Sequence, residues 1–391
     1  MASAIYPPHF LATLKYDAHM KKHRKLSSKN KLSKKIGMAP GSLVYVGDAI
    51  TDVAKMPKPT VTMVTYNAAD FTEKVLSDNE LASFNIDNYT KDNCKLWLNI
   101  HGVHDAVLIK QIGDLFHLHP LVQEDILNTE QRPKLDEFDD YLFFEALSFK
   151  YDKPTMAVDS EQVSFILGHH YLLTFQERST GIFEPVRTRM RASRAHIREL
   201  GVDYLAYALL DSVVDRYFSV LEDVGEASEA LEDLLLSKPS NAELHSIHQL
   251  KHVSIELRRA VWPLREVINS LIRNENDFFK PITMPYLRDV YDHTVNFIES
   301  LESIRDTLSG MMDIYMASVS QRVNLEVRAL TVVAMLFMPA TLIAGIFGMN
   351  FHEMPWLADK DGFWWAMGLM GGIAMIMIII FWRRQWLSSK T

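Results

Sequence analysis

A single cysteine, Cys94, in 391 residues excludes an intrachain disulfide framework and fits a reducing compartment for the water-soluble part of the chain. There is no glycine-rich phosphate loop and no G-x-S-x-G elbow, so nucleotide hydrolysis and serine-hydrolase chemistry have no anchor. No nucleophile, base and orienting group fall at a recognisable spacing either, and the expectation is that the chain is not an enzyme. Positive charge is in deficit: the formal net charge is −8, with cations gathered near both termini and acids spread through the middle. That distribution argues against a nucleic-acid binder. The opening MASAIYPPHF lacks the basic start and long apolar core of a secretory signal, so the bulk of the chain is expected in the cytosol. Three histidine pairs, His101 and His104, His117 and His119, His169 and His170, lack the spacing and the carboxylate or cysteine company of a zinc site. They read as ordinary surface or turn histidines.

What the sequence does have is two uncharged apolar runs near its end. Ala329 to Phe347 (ALTVVAMLFMPATLIAGIF) is close to the ~20 residues that cross a ~30 Å hydrocarbon core. It reads as a first transmembrane helix spanning about 326–347. Phe363 to Trp382 (FWWAMGLMGGIAMIMIIIFW) reads as a second, over 363–383, with Trp364, Trp365, Trp382 and Trp386 placed like interfacial anchors. Arg322 and Arg328 precede the first run and Arg383, Arg384 and Lys390 follow the second, whereas the link over 348–362 carries Glu353, Asp359 and Asp361 against Lys360. Both termini are therefore expected on the cytoplasmic side of a cell (inner or plasma) membrane. The net acidic link is expected to face outward, in the periplasm or outside the cell, where a cation would arrive.

The preceding part divides by pattern. Residues 1–40 contain KKHRKLSSKNKLSKK and read as a basic, solvated cytosolic tail. Over 41–180, apolar runs (TVTMVTY, KLWLNI, YLFFEALSF, VSFILG, YLLTFQE) alternate with helical stretches such as DAVLIKQIGDLF and PLVQEDIL, giving an α/β cytosolic domain within an α+β chain. Residues 181–284 read as helical, and the acids between Glu222 and Leu235 read as a solvated helix face. From Pro285 to Phe347 the one proline is Pro339, so one helix of ~90 Å is expected to lead from the soluble part into the membrane as a stalk. A short basic tail, 384–391, closes the chain.

At alternating steps of three and four, one face of that helix collects Asn324, Val327, Thr331, Ala334, Met338, Thr341, Gly345 and Gly348. The stripe is smaller and more polar than its surroundings. Spacing alone fits either a pore lining or a seam where membrane helices pack closely. Two helices per chain cannot enclose a channel, so the pore reading demands a ring of subunits with this helix innermost. Gly368, Gly371 and Gly372 place the second helix in an outer, packing role.

Gly348-Met349-Asn350, within FGMNFHEMP and closing the first of two C-terminal membrane helices, resembles the signature of the CorA family of magnesium transporters. The resemblance extends through HPLVQEDILNTEQRP (His119 to Pro133), WPLREV (Trp262 to Val267), YLRDVYDHT (Tyr286 to Thr294) and DIYMASVSQRVN (Asp313 to Asn324). It implies a funnel-shaped homopentamer in membrane lipid, with five first helices around a pore and five second helices outside them. It further implies that Gly348, Met349 and Asn350 form the outer mouth, with Gly345, Thr341, Met338, Leu330 and Asn324 along the pore. By the same resemblance a divalent-sensing site lies between neighbouring subunits and involves Asp125 and Asp289, with Glu124 as an added candidate. Mg²⁺ is then both cargo and regulator, Co²⁺ is a second cation to expect, and no nucleotide is expected. Two positions depart from the family pattern: Phe347 stands where tyrosine is usual, and Val327 where some relatives have methionine. The alternatives are a Zn²⁺, Co²⁺ or Ni²⁺ transporter of the same architecture, for which Trp356 after Met-Pro removes one argument from loop charge, and a membrane-anchored sensor or scaffold.

Overall fold

The computed structural model describes residues 37–47, 56–86, 89, 94–192, 196–237, 239–273, 278–349, 360–384 and 386. Most of the basic N-terminal stretch, Asn350 and the link over 351–359 lie outside the described residues. The chain divides into two compact units, one holding the residues up to Leu231 together with His245–Leu308, the other Glu232–Leu244 together with Ser309 onward.

In the first unit, seven strands form one mixed sheet: β1 (Thr60–Tyr66), β2 (Phe71–Leu76), β3 (Lys95–His101), β4 (Leu135–Glu137), β5 (Tyr141–Asp152), β6 (Ala157–Gly168) and β7 (Tyr171–Gln176). Their order is β2-β1-β3-β7-β6-β5-β4, with β3 and β7 parallel and the other neighbours antiparallel. The central strands read as near-continuous apolar runs because both faces are covered. On one face Val61, Met63, Leu96, Leu98, Ile100, Phe143, Ile166, Leu173 and Phe175 pack with Ile109 and Ile112 of α2 (Ala106–Leu115) and Val122 and Ile126 of α3 (Pro120–Ile126). Each such buried side chain contributes roughly 1.5–3 kcal/mol. On the other face Trp97 and Phe165 meet Phe183 edge-on at 6.0 and 6.3 Å. The short α1 (Asp78–Ala82) follows β2 and is capped by a reciprocal Ser77–Glu80 pair. Glu73 of β2 pairs with Arg187 and Arg191, both at 2.8 Å, on α4 (Glu184–Arg191), which ties the charged edge of the sheet to that helix.

The helix α3 carries two of the sequence-predicted site residues, and its placement is over-determined. Pro120 occupies its first turn, the His119 ring nitrogen accepts the Leu121 amide at 3.2 Å, and the His119 amide donates to the Tyr141 hydroxyl at 2.9 Å. Gly113 of α2 lets the two helices approach: a Cβ there would sit 2.3 Å from the buried Gln123 amide carbon.

Beyond the sheet run three long helices, α5 (Val202–Ser237), α6 (Asn241–Arg273) and α7 (Met284–Phe347). Tyr217 of α5 is wholly buried between Phe149 at 5.1 Å and Phe297 at 5.3 Å. Its hydroxyl donates to the Leu147 carbonyl at 2.5 Å, which fixes α5 and α7 against the sheet. In the second unit, Tyr315 donates to Asn241 at 2.9 Å and Arg322 to the Pro239 carbonyl at 2.9 Å. The 64-residue α7 runs unbroken through Pro339, and α8 (Gly362–Arg383) follows. Both α7 and α8 contain stretches long and apolar enough to cross a membrane.

Candidate functional site

Sequence-predicted residues fall into three places. Glu124 and Asp125 lie in the last turn of α3. Glu124 accepts the Gly41 amide at 2.7 Å. Asp125 is engaged on both oxygens, accepting from Gln131 at 2.6 Å and from the Lys134 ammonium at 2.5 Å, while Lys134 also reaches Asp136 at 2.9 Å. Beneath this pair, Gln162 donates to the buried Glu145 carboxylate at 2.8 Å and toward the Asp125 carbonyl at 3.3 Å. Burial pushes the Glu145 carboxyl well above the usual carboxylate range, with Lys134 opposing and Asp125 adding to the rise. Burial also works against the Lys134 ammonium, but its bonds to Asp125 and Asp136 outweigh that and raise its pKa.

Asp289 belongs to a different cluster, on α7. It lies one helical turn before His293, whose ring nitrogen is 3.8 Å from its carboxylate. Opposite them, Asp211 and Asp215 occupy one face of α5, and ligand atoms of Asp211, Asp215 and His293 all lie within 4.8 Å of one another. Burial pushes the Asp211 carboxyl up to about 6, with Asp215 and Asp289 adding repulsion and His293 and Arg189 opposing it. The remaining ring nitrogen of His293 is buried and has no hydrogen bond among the described residues. Such a set of carboxylate oxygens with one imidazole suits a divalent cation: oxygen is the preferred donor for Mg²⁺, and imidazole admits Co²⁺, Ni²⁺ or Zn²⁺. The sequence reading selected Asp289 but missed Asp211, Asp215 and His293. The available signal was a pair of i,i+4 spacings, Asp211–Asp215 and Asp289–His293, each presenting two ligands on one helical face.

The third place is the membrane end of α7. Ala334, Met338, Thr341 and Gly345 of the stripe, with Phe337, Leu342, Ile346 and Met349, line an open depression of about 620 Å³. Asn324 is exposed, as are Leu330 at 71 % and Met338 at 67 %. The Thr331 hydroxyl donates to the Val327 carbonyl at 2.7 Å and that of Thr341 to the Phe337 carbonyl at 2.9 Å, so neither carries an unsatisfied proton into an apolar setting. At the C-terminal end of α7, the Gly348 amide closes on the Ala344 carbonyl at 2.9 Å and that of Met349 on Ile346 at 3.2 Å. Gly348 and Met349 thus continue the last turn of the helix, and Asn350 is the next residue, outside the described region. No acid or base occurs between Ala329 and Met349.

A family model described as CorA-like Mg²⁺ transporter protein matches residues 94–384. The chain is similar to the cobalt/magnesium transport protein CorA of Thermotoga maritima, 41% identical over 357 residues, which cover 91% of this chain and 99% of that protein. It is also similar to the cobalt/magnesium transport protein CorA of Methanocaldococcus jannaschii, 26% identical over 268 residues, covering 67% of this chain and 82% of that one. The solved structure of the complete CorA magnesium transporter from Methanocaldococcus jannaschii shares the fold, with a TM-score of 0.71 at 20% identity over 83% of this chain and 98% of that one.

Proposed function

The chain belongs to the CorA family of metal-ion transporters, and on that premise we propose that it passes Mg²⁺, and Co²⁺ as a second cation, inward across the membrane as a homopentamer. In this reading the α7 helices line the pore, with Asn324, Leu330, Met338, Thr341 and Gly345 along it and Gly348, Met349 and Asn350 at the outer mouth. The α8 helices form the outer ring. Support comes from the membrane end of α7, where a small, polar stripe free of carboxylates lies open on a helix otherwise surfaced by large apolar side chains.

That absence of charge bears on mechanism. Mg²⁺ dehydrates reluctantly and keeps several of its waters unless strong oxygen ligands replace them. A lining of amides, hydroxyls, glycines, leucine and methionines, with no carboxylate, offers no replacement of that strength, so the ion travels hydrated. The Asn350 amides hydrogen-bond its water shell at the mouth and select by shell size and charge. No chemical fuel is required: at ~2.3 kcal/mol per charge per 100 mV, a divalent ion entering a negative cell gains about 4.6 kcal/mol per 100 mV. Cytosolic Mg²⁺ closes the channel by binding at subunit boundaries through Asp289 and Asp125, with Glu124 beside it, and its loss lets the α7 helices shift. Rings of Met338 and Leu330 then widen and rewet. The donors fit a divalent ion differently: Asp211, Asp215 and His293 bring ligand atoms within 4.8 Å of one another beside Asp289, whereas both Asp125 oxygens are already taken within the chain.

Flux of Mg²⁺ into liposomes carrying wild type or Asn350→Ala is the direct test. Loss of flux in the variant, with the oligomer intact by native mass spectrometry, is expected. Proton-coupled Zn²⁺ movement without Mg²⁺ entry would reject the reading in favour of a zinc transporter of the same build.

A further inference from the structure

We propose that the Lys134 ammonium is a tethered cation occupying a seat formed by Asp125 and Asp136, and that a cytosolic divalent ion reaches Asp125 only by displacing it. The inference rests on the reading of Asp125 as a sensing ligand and adds what sets the concentration at which sensing occurs.

The geometry is that of a cation site already filled. One nitrogen lies 2.5 Å from the Asp125 carboxylate and 2.9 Å from that of Asp136, so the two acids converge on a single point. The second oxygen of Asp125 is held by Gln131 at 2.6 Å, which aims the first one at that point. Access is restricted, the Asp125 side chain being 16% and that of Lys134 32% exposed. The lysine is placed by its backbone: the Glu145 amide donates to the Lys134 carbonyl at 3.0 Å, and the ammonium lies over the Phe143 ring at 5.5 Å. At the other side, the Asn128 amide closes on the Asp125 carbonyl at 2.9 Å.

Two carboxylates aimed at one point repel each other when empty, and a monovalent ammonium relieves that repulsion without metal. A divalent ion offers twice the charge at the same point, so exchange is favourable once its concentration is high enough. Lysine suits the task because its head is a compact charge on a flexible stem and can swing away, whereas an arginine fork would grip the carboxylates through fixed bidentate bonds. The tether makes Lys134 a competitor that no change of cell composition can dilute.

A purely structural ion pair and a built-in competitor differ in sign, and a Mg²⁺ titration of limited proteolysis on the purified full-length protein separates them. Lys134→Met and Lys134→Gln are expected to lower the Mg²⁺ concentration for half-maximal protection at least tenfold, and Lys134→Arg to leave it unchanged or raise it. An unchanged or raised midpoint in Lys134→Met and Lys134→Gln overturns the proposal. Asp125→Asn tells the two levels of inference apart. If its midpoint equals that of wild type, Asp125 is not a ligand and the underlying reading falls. If Asp125→Asn abolishes protection while Lys134→Gln changes nothing, only the competitor role falls. A measurement on the wild-type protein avoids any folding defect: acetic anhydride labelling of Lys134, followed by mass spectrometry, should accelerate several-fold at saturating Mg²⁺. Labelling that Mg²⁺ leaves unchanged or slows contradicts displacement.

Discussion

Replacing Asp211 by asparagine should stabilise the metal-free protein at neutral pH, a consequence of the company that this carboxylate keeps. Burial, with repulsion from Asp215 and Asp289 and against the opposing pull of His293 and Arg189, raises its pKa from an ordinary 3.8 to about 6. The folded chain therefore holds this proton up to about pH 6 while the unfolded chain releases it near 3.8. Over that interval the folded state binds more protons, and stability falls as pH rises through it. A rise of about two units corresponds to roughly 3 kcal/mol, which solvent screening of a partly exposed group reduces to about 1–2 kcal/mol. Asparagine keeps the shape and removes the charge, so in chelator at pH 7.5 its melting temperature should exceed that of wild type by ~2–4 °C. The difference should shrink toward pH 4, where both side chains are neutral. If the proposed cation site is right, saturating Mg²⁺ should reverse the ranking, because an ion held by the native wild-type cluster and not by the unfolded chain stabilises the folded state. Thermal scans by intrinsic fluorescence in detergent, at several pH values with and without Mg²⁺, read all three effects. A variant that melts below wild type in chelator at pH 7.5 would refute the reasoning and make Asp211 a structural acceptor.

The other predictions touch separate parts of the chain. Tyr217→Phe removes the donor to a part-buried Leu147 carbonyl and should cost about 1–2 kcal/mol of stability, seen as a lower unfolding midpoint, with ion selectivity unchanged. Asp289→Ala should abolish or sharply weaken the protection from proteolysis that Mg²⁺ gives; a Mg²⁺ dependence equal to that of wild type would remove Asp289 from sensing. Asn350→Ala should stop Mg²⁺ flux without dispersing the oligomer, and normal flux would mean that the outer mouth selects by backbone alone.

Much of the fold was legible because its strongest signals are local. The strands β1, β3, β5, β6 and β7 stand out as apolar runs since both faces of the central sheet are covered. Two strands escaped: FTEKVL of β2 sets two adjacent charges between apolar ends, without a period-two pattern, at a solvated edge, and β4 is three residues long. Neither has a pattern that distinguishes it from a loop, and each is held by its neighbour's ladder. The long helix and the membrane runs were readable from hydropathy and from the scarcity of proline. The cluster of Asp211, Asp215 and His293 was not, because Asp215 and His293 are 78 positions apart and the packing of α5 on α7 joins their i,i+4 pairs. Nor did QEDIL reveal that Asp125 is already paired: its partner Lys134 lies nine residues on, beyond a turn. Motif resemblance selects a residue type at a position, while the three-dimensional fold decides what else competes for its oxygens.

Pro339 lies inside the apolar half of α7 without ending it. A proline has no amide hydrogen, so the carbonyl of Met335, one turn earlier, receives no bond from it. Against hydrocarbon, that bare dipole would cost several kcal/mol; against a column of water it is a ready acceptor. The proline therefore sets a local demand on its surroundings: a donor, from water or from a neighbouring segment, has to meet the Met335 carbonyl.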